Sequence, residues 1–168
     1  MPYPFTPYHL GPSCLLGLLF RRWVDAPVFV LSCFTIDLIV FVVGLWQPRN
    51  VAQDHFHTLL TGVVVGFFGG IASYFFKGLF RRIMRILHLP YRTNVRKMLL
   101  SGITGTWVHI FIDSLYRTDT ALFWPNKLLH LPFHFKRSEI SFILILCSLA
   151  ACFLYIYILK KQKSEGIH

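Results

Sequence analysis

The chain has 168 residues, of which 55% are hydrophobic, 17% aromatic and only 14% charged. A soluble domain carries about 25% charged residues, so this composition excludes a soluble globular fold, and it excludes disorder as well. The net charge of +10 would suit a nucleic-acid binder, but the basic residues flank long apolar runs. The expected partner is therefore a lipid bilayer and not nucleic acid.

In chain order, Leu10–Trp23 is the first apolar stretch. At 14 residues it is short of the roughly 20 that cross a bilayer, and fits a short or re-entrant helix. Arg21 and Arg22 follow it, the reverse of a signal peptide's charge order, and no small-residue cleavage site is present. Ala26–Trp46 is of spanning length and is interrupted by Asp37. Thr58–Phe80 is the next span, ending with Lys77 able to snorkel to the interface. Its Gly62, Gly66 and Gly70 recur every four residues, with Gly69 beside them. Small residues at this spacing let helix backbones approach closely, which predicts a buried, central helix packed within the chain. The basic linker Lys77–Lys97 reads as a topology-setting loop, with contact to anionic headgroups as the alternative. Met98–Tyr116 is of spanning length but holds His109 and Asp113. Arg117–Ile140 is too short for a soluble domain, and Ile140–Leu159 is the final span.

These elements predict one integral-membrane domain over residues 1–168: an all-α, polytopic helical bundle of four transmembrane helices plus a short N-terminal helix. With the first segment starting outside and the others alternating, twelve basic residues fall inside and five outside. This satisfies the positive-inside rule and puts the C-terminus in the cytoplasm. Cys14, Cys33, Cys147 and Cys152 lie in apolar segments without a CxxC pair and read as packing residues.

The informative residues are the scarce acids. Of seven, Asp37 and Asp113 sit within apolar segments, where charge is costly and usually functional. His109 precedes Asp113 by four residues, so both occupy one helix face. Such a pair can share a metal ion, although a buried His–Asp hydrogen bond between helices has the same pattern. The topology favours the metal. His9, Asp37, His57 and the His109–Asp113 pair come from separate segments and all fall toward the outer leaflet. Individually, His9 also reads as an interfacial or N-capping residue, His57 as a helix cap, His55 as a loop residue and Asp37 as a partner of an arginine or hydroxyl. His88, His130 and His134 read as headgroup-level residues, and His168 as part of a disordered terminus.

Several short motifs follow one another in a recognisable order: Pro4-Phe5-Thr6-Pro7-Tyr8-His9, Ile36-Asp37, His57-Thr58-Leu59-Leu60, His109-Ile110-Phe111-Ile112-Asp113 and Leu122-Phe123-Trp124-Pro125. Over about residues 4–126 the chain resembles the YdjM-like family of bacterial and archaeal inner-membrane proteins, described as membrane-bound metal-dependent hydrolases; the last helix lies outside the resemblance. The likeness implies metal ligation by His9, Asp37, His57, His109 and Asp113. It implies a catalytic role for Asp37, His57, His109 and Asp113. A divalent ion, zinc foremost, is the implied cofactor. Where the family often has Asp-x-Asp, the first position here is Thr35. Where it often has His-Arg-Gly, Ala52-Gln53-Asp54 stands here, with Asp54 or His55 as the substitutes on offer. The function expected is hydrolysis of a lipid or phosphoester-type substrate at the outer leaflet. The alternative is a non-catalytic membrane protein using the same residues as a proton or metal path, or as a structural knot. No GxSxG, P-loop or GxGxxG motif points elsewhere.

Overall fold

The computed structural model describes residues 9–46, 57–117, 122–123 and 135–165, which form six helices and no strand. They are α1 (Leu10–Leu19), α2 (Ala26–Val43), α3 (Leu59–Phe75), α4 (Lys77–Ile86), α5 (Val95–Ser114) and α6 (Arg137–Ser164). By length and composition α2 and Ser138–Ser164 of α6 can each cross a membrane. At ten residues, α1 rises only about 15 Å and remains the short helix expected.

The helix starts are written locally. Asp25 caps α2, its carboxylate accepting from the Val28 amide at 3.3 Å. Thr58 and Thr61 cap α3 reciprocally, each hydroxyl accepting from the other's backbone N–H. Asn94 caps α5 by accepting from the Lys97 amide at 2.8 Å. Each cap satisfies amides that lack partners in the first turn.

Two expectations need correction. Thr58–Phe80 is not one straight span: α3 ends at Phe75 and α4 leaves it at 78°. The reason is the charge pattern. Lys77, Arg81, Arg82 and Arg85 would enter hydrocarbon if the helix ran on. After the bend, α4 buries Phe80 and Met84 on one face and exposes its arginines on the other. Nor is the glycine-rich helix the central one. Only its glycine face is buried, while Leu60, Val64, Phe68 and Phe75 are exposed. The central helix is α5, with α3 against one side and α2 against another.

Small residues make that close packing possible. A Cβ on Gly66 would lie 2.6 Å from the Gly102 carbonyl oxygen, and one on Gly70 would lie 2.9 Å from the Met98 carbonyl oxygen. On the other flank, a Cβ on Gly105 would meet the Phe29 carbonyl of α2. The Thr106 hydroxyl donates across the seam to the Gly62 carbonyl at 2.7 Å, and Trp107 Nε1 donates to the Leu59 carbonyl at 3.0 Å. α6 packs chiefly on α1 and turns Phe142, Leu149 and Phe153 outward. An apolar outer surface of this kind is what a bilayer solvates.

The two ends of the bundle differ. At one end, Ile36, Val40, Ile110 and Leu122 form a buried cluster, and the Leu59 amide donates to the Leu122 carbonyl at 3.0 Å. At the other, Val28, Phe80 and Met98 pack together under Tyr91. There Asp25 is buried too, accepting from the Tyr91 hydroxyl at 2.8 Å while its own amide donates to Ser101 Oγ at 2.6 Å. Burial and the Asp25 carboxylate push the Tyr91 hydroxyl above its ordinary range, so it stays a donor. The cysteines are free, Cys33 buried in α2 and Cys152 exposed on α6.

Candidate metal centre

Five side chains predicted to share a site meet at the first of these ends. His9 stands immediately before α1, Asp37 lies two-thirds of the way along α2, and His57 precedes the Thr58 cap of α3. His109 and Asp113 lie one turn apart near the C-terminal end of α5. His9, His57, His109 and Asp113 are buried, and Asp37 keeps 21% of its side chain exposed. Of the five, Asp37 is therefore the one in contact with the surface.

Asp113 is the hub. One oxygen, Oδ1, lies 3.1 Å from His9 Nε2; the other, Oδ2, lies 3.1 Å from His57 Nε2 and 3.8 Å from His109 Nε2. His109 Nε2 also approaches Asp37 Oδ1 at 3.3 Å, which ties α2 to the hub. The His109 ring stacks at a tilt between the other two, its centroid 4.5 Å from that of His9 and 5.6 Å from that of His57. The capping alternatives do not describe these histidines. His9 occupies the cap position of α1 but makes no side-chain cap bond, and Thr58, not His57, caps α3.

One ligand atom from each of Asp37, His57, His109 and Asp113 lies within 4.8 Å of the others, a grouping able to hold a metal ion. His9 reaches this group through Asp113 and is not one of the four. The ring nitrogens supply a further test of fit. Nδ1 of His9 is buried and has no hydrogen-bond partner among the described residues, while the Nε2 atoms of His9 and His109 face carboxylate oxygens at 3.1 and 3.3 Å. A buried polar atom without a hydrogen bond is costly. Imidazole nitrogens clustered with carboxylate oxygens and no thiolate are a donor set for zinc or a similar divalent ion.

Residues outside the five sort clearly. Thr35, at the position where Asp-x-Asp would begin, turns its hydroxyl back to the Leu31 carbonyl at 3.0 Å. His88 is exposed at the opposite end of the bundle. Asp54, His55, His130, His134 and His168 lie outside the described residues. One member was not anticipated. The Tyr116 hydroxyl donates to Asp113 Oδ1 at 2.9 Å, three residues on from the carboxylate. The signal that could have found it is that spacing, which returns a side chain to the same helix face.

The chain matches no family model, no curated protein and no solved structure.

Proposed function

We propose that this chain is a membrane-embedded, metal-dependent hydrolase of the YdjM-like kind, acting on a lipid or phosphoester-type substrate. In this reading α2, the α3–α4 pair, α5 and α6 make four crossings of a bacterial or archaeal inner membrane, with α1 as the short helix. The site faces the outer leaflet and the C-terminus the cytoplasm. The carrying observation is the convergence of Asp37, His57, His109 and Asp113, from α2, the start of α3 and α5, on one buried locus.

Asp37, His57, His109 and Asp113 would hold the ion. When bound, a divalent cation supplies Lewis acidity, lowering the pKa of a coordinated water and polarising a phosphoryl or acyl oxygen. The remaining work falls to the chain. Tyr116 and His9 fix one oxygen of Asp113 and so set the direction of the other. Asp37, the partly exposed member, would give one carboxylate oxygen to the ion and leave the other to accept a proton. The apolar outer surface of α2 and α3 lets a lipid substrate approach sideways.

The test is elemental analysis of detergent-purified protein together with turnover on a panel of phospholipids and phosphoesters. The expected outcome is about one divalent ion per chain, lost in the His109→Ala/Asp113→Ala double variant, with hydrolysis lost in parallel. Metal content unchanged in that variant overturns the reading. A second reading has one observation in its favour. Asp113 already meets three imidazoles and a tyrosine hydroxyl, which is also the make-up of a structural knot holding α1, α3 and α5 together. Tightly bound metal without turnover on any substrate of the panel selects it.

A further inference from the structure

A cavity of about 720 Å³ opens at the other end of the bundle, between α4, the loop after it and the end of α6. Along α6 it lies on the order of 25 Å from the His/Asp cluster, taking 1.5 Å per residue from the Ile140–Leu144 level to Leu159. Arg81 and Arg85 of α4 and Lys163 of α6 supply its charged wall, His88 of the loop adds an imidazole, and Leu89 and Leu159 are among its apolar lining. No acidic residue is among the lining residues. Of the acids nearby, Asp25 is buried outside the lining and accepts from the hydroxyl of Tyr91, itself a lining residue, and Glu165 lies 3.7 Å from Lys161.

The cavity is built rather than incidental. Met84, Leu89 and Ile158 form a buried cluster beneath it, packed by Leu18 and Leu154. The Tyr155 hydroxyl donates to the Leu87 carbonyl at 3.0 Å and ties α6 to the end of α4. His88 has φ of 54°, a left-handed conformation that glycine adopts most readily. Its amide donates to the Arg85 carbonyl at 3.0 Å, which closes the last turn of α4 while the imidazole lines the cavity.

Two arginines and a lysine without a balancing acid match a phosphate oxyanion, since guanidinium forks and ammonium groups are the side chains that bind it best. The position adds a second requirement. The cavity sits where the apolar run of α6 gives way to Lys160, Lys161 and Lys163, and beside an amphipathic helix whose arginines point out of the apolar layer. That is the depth at which headgroups lie, and basic pockets there take lipid phosphates. Its mixed lining, cationic on one side and leucine on the other, fits an amphiphile better than a free ion. We propose that this cavity binds the phosphate headgroup of an anionic lipid, at a site separate from the His/Asp cluster.

The experiment uses the full chain in a neutral detergent and measures binding of dihexanoyl phosphatidylglycerol, dihexanoyl phosphatidylcholine and inorganic phosphate by calorimetry. Phosphatidylglycerol should bind at least tenfold more tightly than either of the others. The Arg81→Gln/Arg85→Gln/Lys163→Gln variant should lose at least tenfold in affinity. An Arg82→Gln/Arg92→Gln/Arg96→Gln variant, with the same charge removed outside the cavity, should lose less than threefold. Gln162→Glu, a single change in the lining, should weaken binding in the same direction without removing any basic group. Equal losses in the two triple variants, or equal binding of the two lipids, overturn the proposal. Inorganic phosphate binding as tightly as phosphatidylglycerol overturns the lipid as its source.

Discussion

The two ends of this bundle treat charge in opposite ways. At the Asp113 end, two acids and three histidines, all buried except the partly exposed Asp37, meet at 3.1–3.8 Å and come from α2, α5 and the residues just before α1 and α3. At the Arg81 end, the basic residues stand in the lining of an open cavity, exposed and without an acid among them. Buried charge is tolerated only with partners in fixed geometry, and at the first end each group has such a partner, in a grouping able to hold a small ion. Exposed charge keeps its water and lends itself to a larger, exchangeable anion. One apolar scaffold thus supports two kinds of polar site because each lies at a different distance from solvent.

Removal of the hub should separate the ends most sharply. Asp113→Ala leaves buried imidazoles without their carboxylate, and should cost about 3–5 kcal/mol, by analogy with breaking a buried pair. Thermal unfolding in detergent would measure it, and a loss below 1 kcal/mol would mean that Asp113 is not the hub. Chelation comes next. Stripping a divalent ion present at a hundredfold its Kd should lower stability by about 2.7 kcal/mol. The same chelator should leave an Asp113→Asn variant unchanged, and an equal fall in both would break the link between the ion and this end.

A backbone test lies between the two ends. Gly102→Ala places a methyl group against the Gly66 carbonyl and should cost about 1–3 kcal/mol by overpacking. Gly78→Ala, where a Cβ meets nothing within 4 Å, should leave the melting temperature unchanged or slightly raised. Tyr116→Phe removes one hydrogen bond to Asp113 and should weaken metal affinity by about tenfold, the scale of partners that orient a ligand. Metal titration of the purified variant would show it.

The smallest effect belongs to the basic end. Tyr91→Phe removes the bond to buried Asp25 and should cost about 1 kcal/mol with metal content unchanged. Its pH dependence has a definite sign. The Tyr91 hydroxyl is raised above its ordinary value of 10.0 in the folded chain, so its contribution is complete below that pH and declines as pH rises beyond it. The stability gap between wild type and Tyr91→Phe should therefore hold at neutral pH and narrow in strong alkali.

Much of the candidate site was legible because a charge in an apolar run is conspicuous. Asp37, His109 and Asp113 are visible at once, and alternation of the segments places His9 and His57 at the same end. Tyr116 was not singled out because a tyrosine at a span boundary is ordinary there; only its hydroxyl's 2.9 Å approach to Asp113 distinguishes it. Asp25 was passed over because it lies at a segment boundary, where acids are normally solvated. Its burial comes from Tyr91 and Ser101, 66 and 76 residues away. The glycine repeat correctly located a close helix contact but not which helix is central, since both partners of a glycine seam carry small residues.

From the sequence alone follow the all-helical, apolar character of the chain and the shortness of its first helix. The segment ends that carry histidine and aspartate are legible there as well. These depend on composition and local periodicity, which each segment expresses by itself. The tertiary structure decided the bend after Phe75, the central place of α5, the four donors within 4.8 Å and the basic cavity. Each of these depends on which surfaces meet across tens of residues. Packing of Gly66 on Gly102, and of His9 on Asp113, is a property of pairs that no single segment contains.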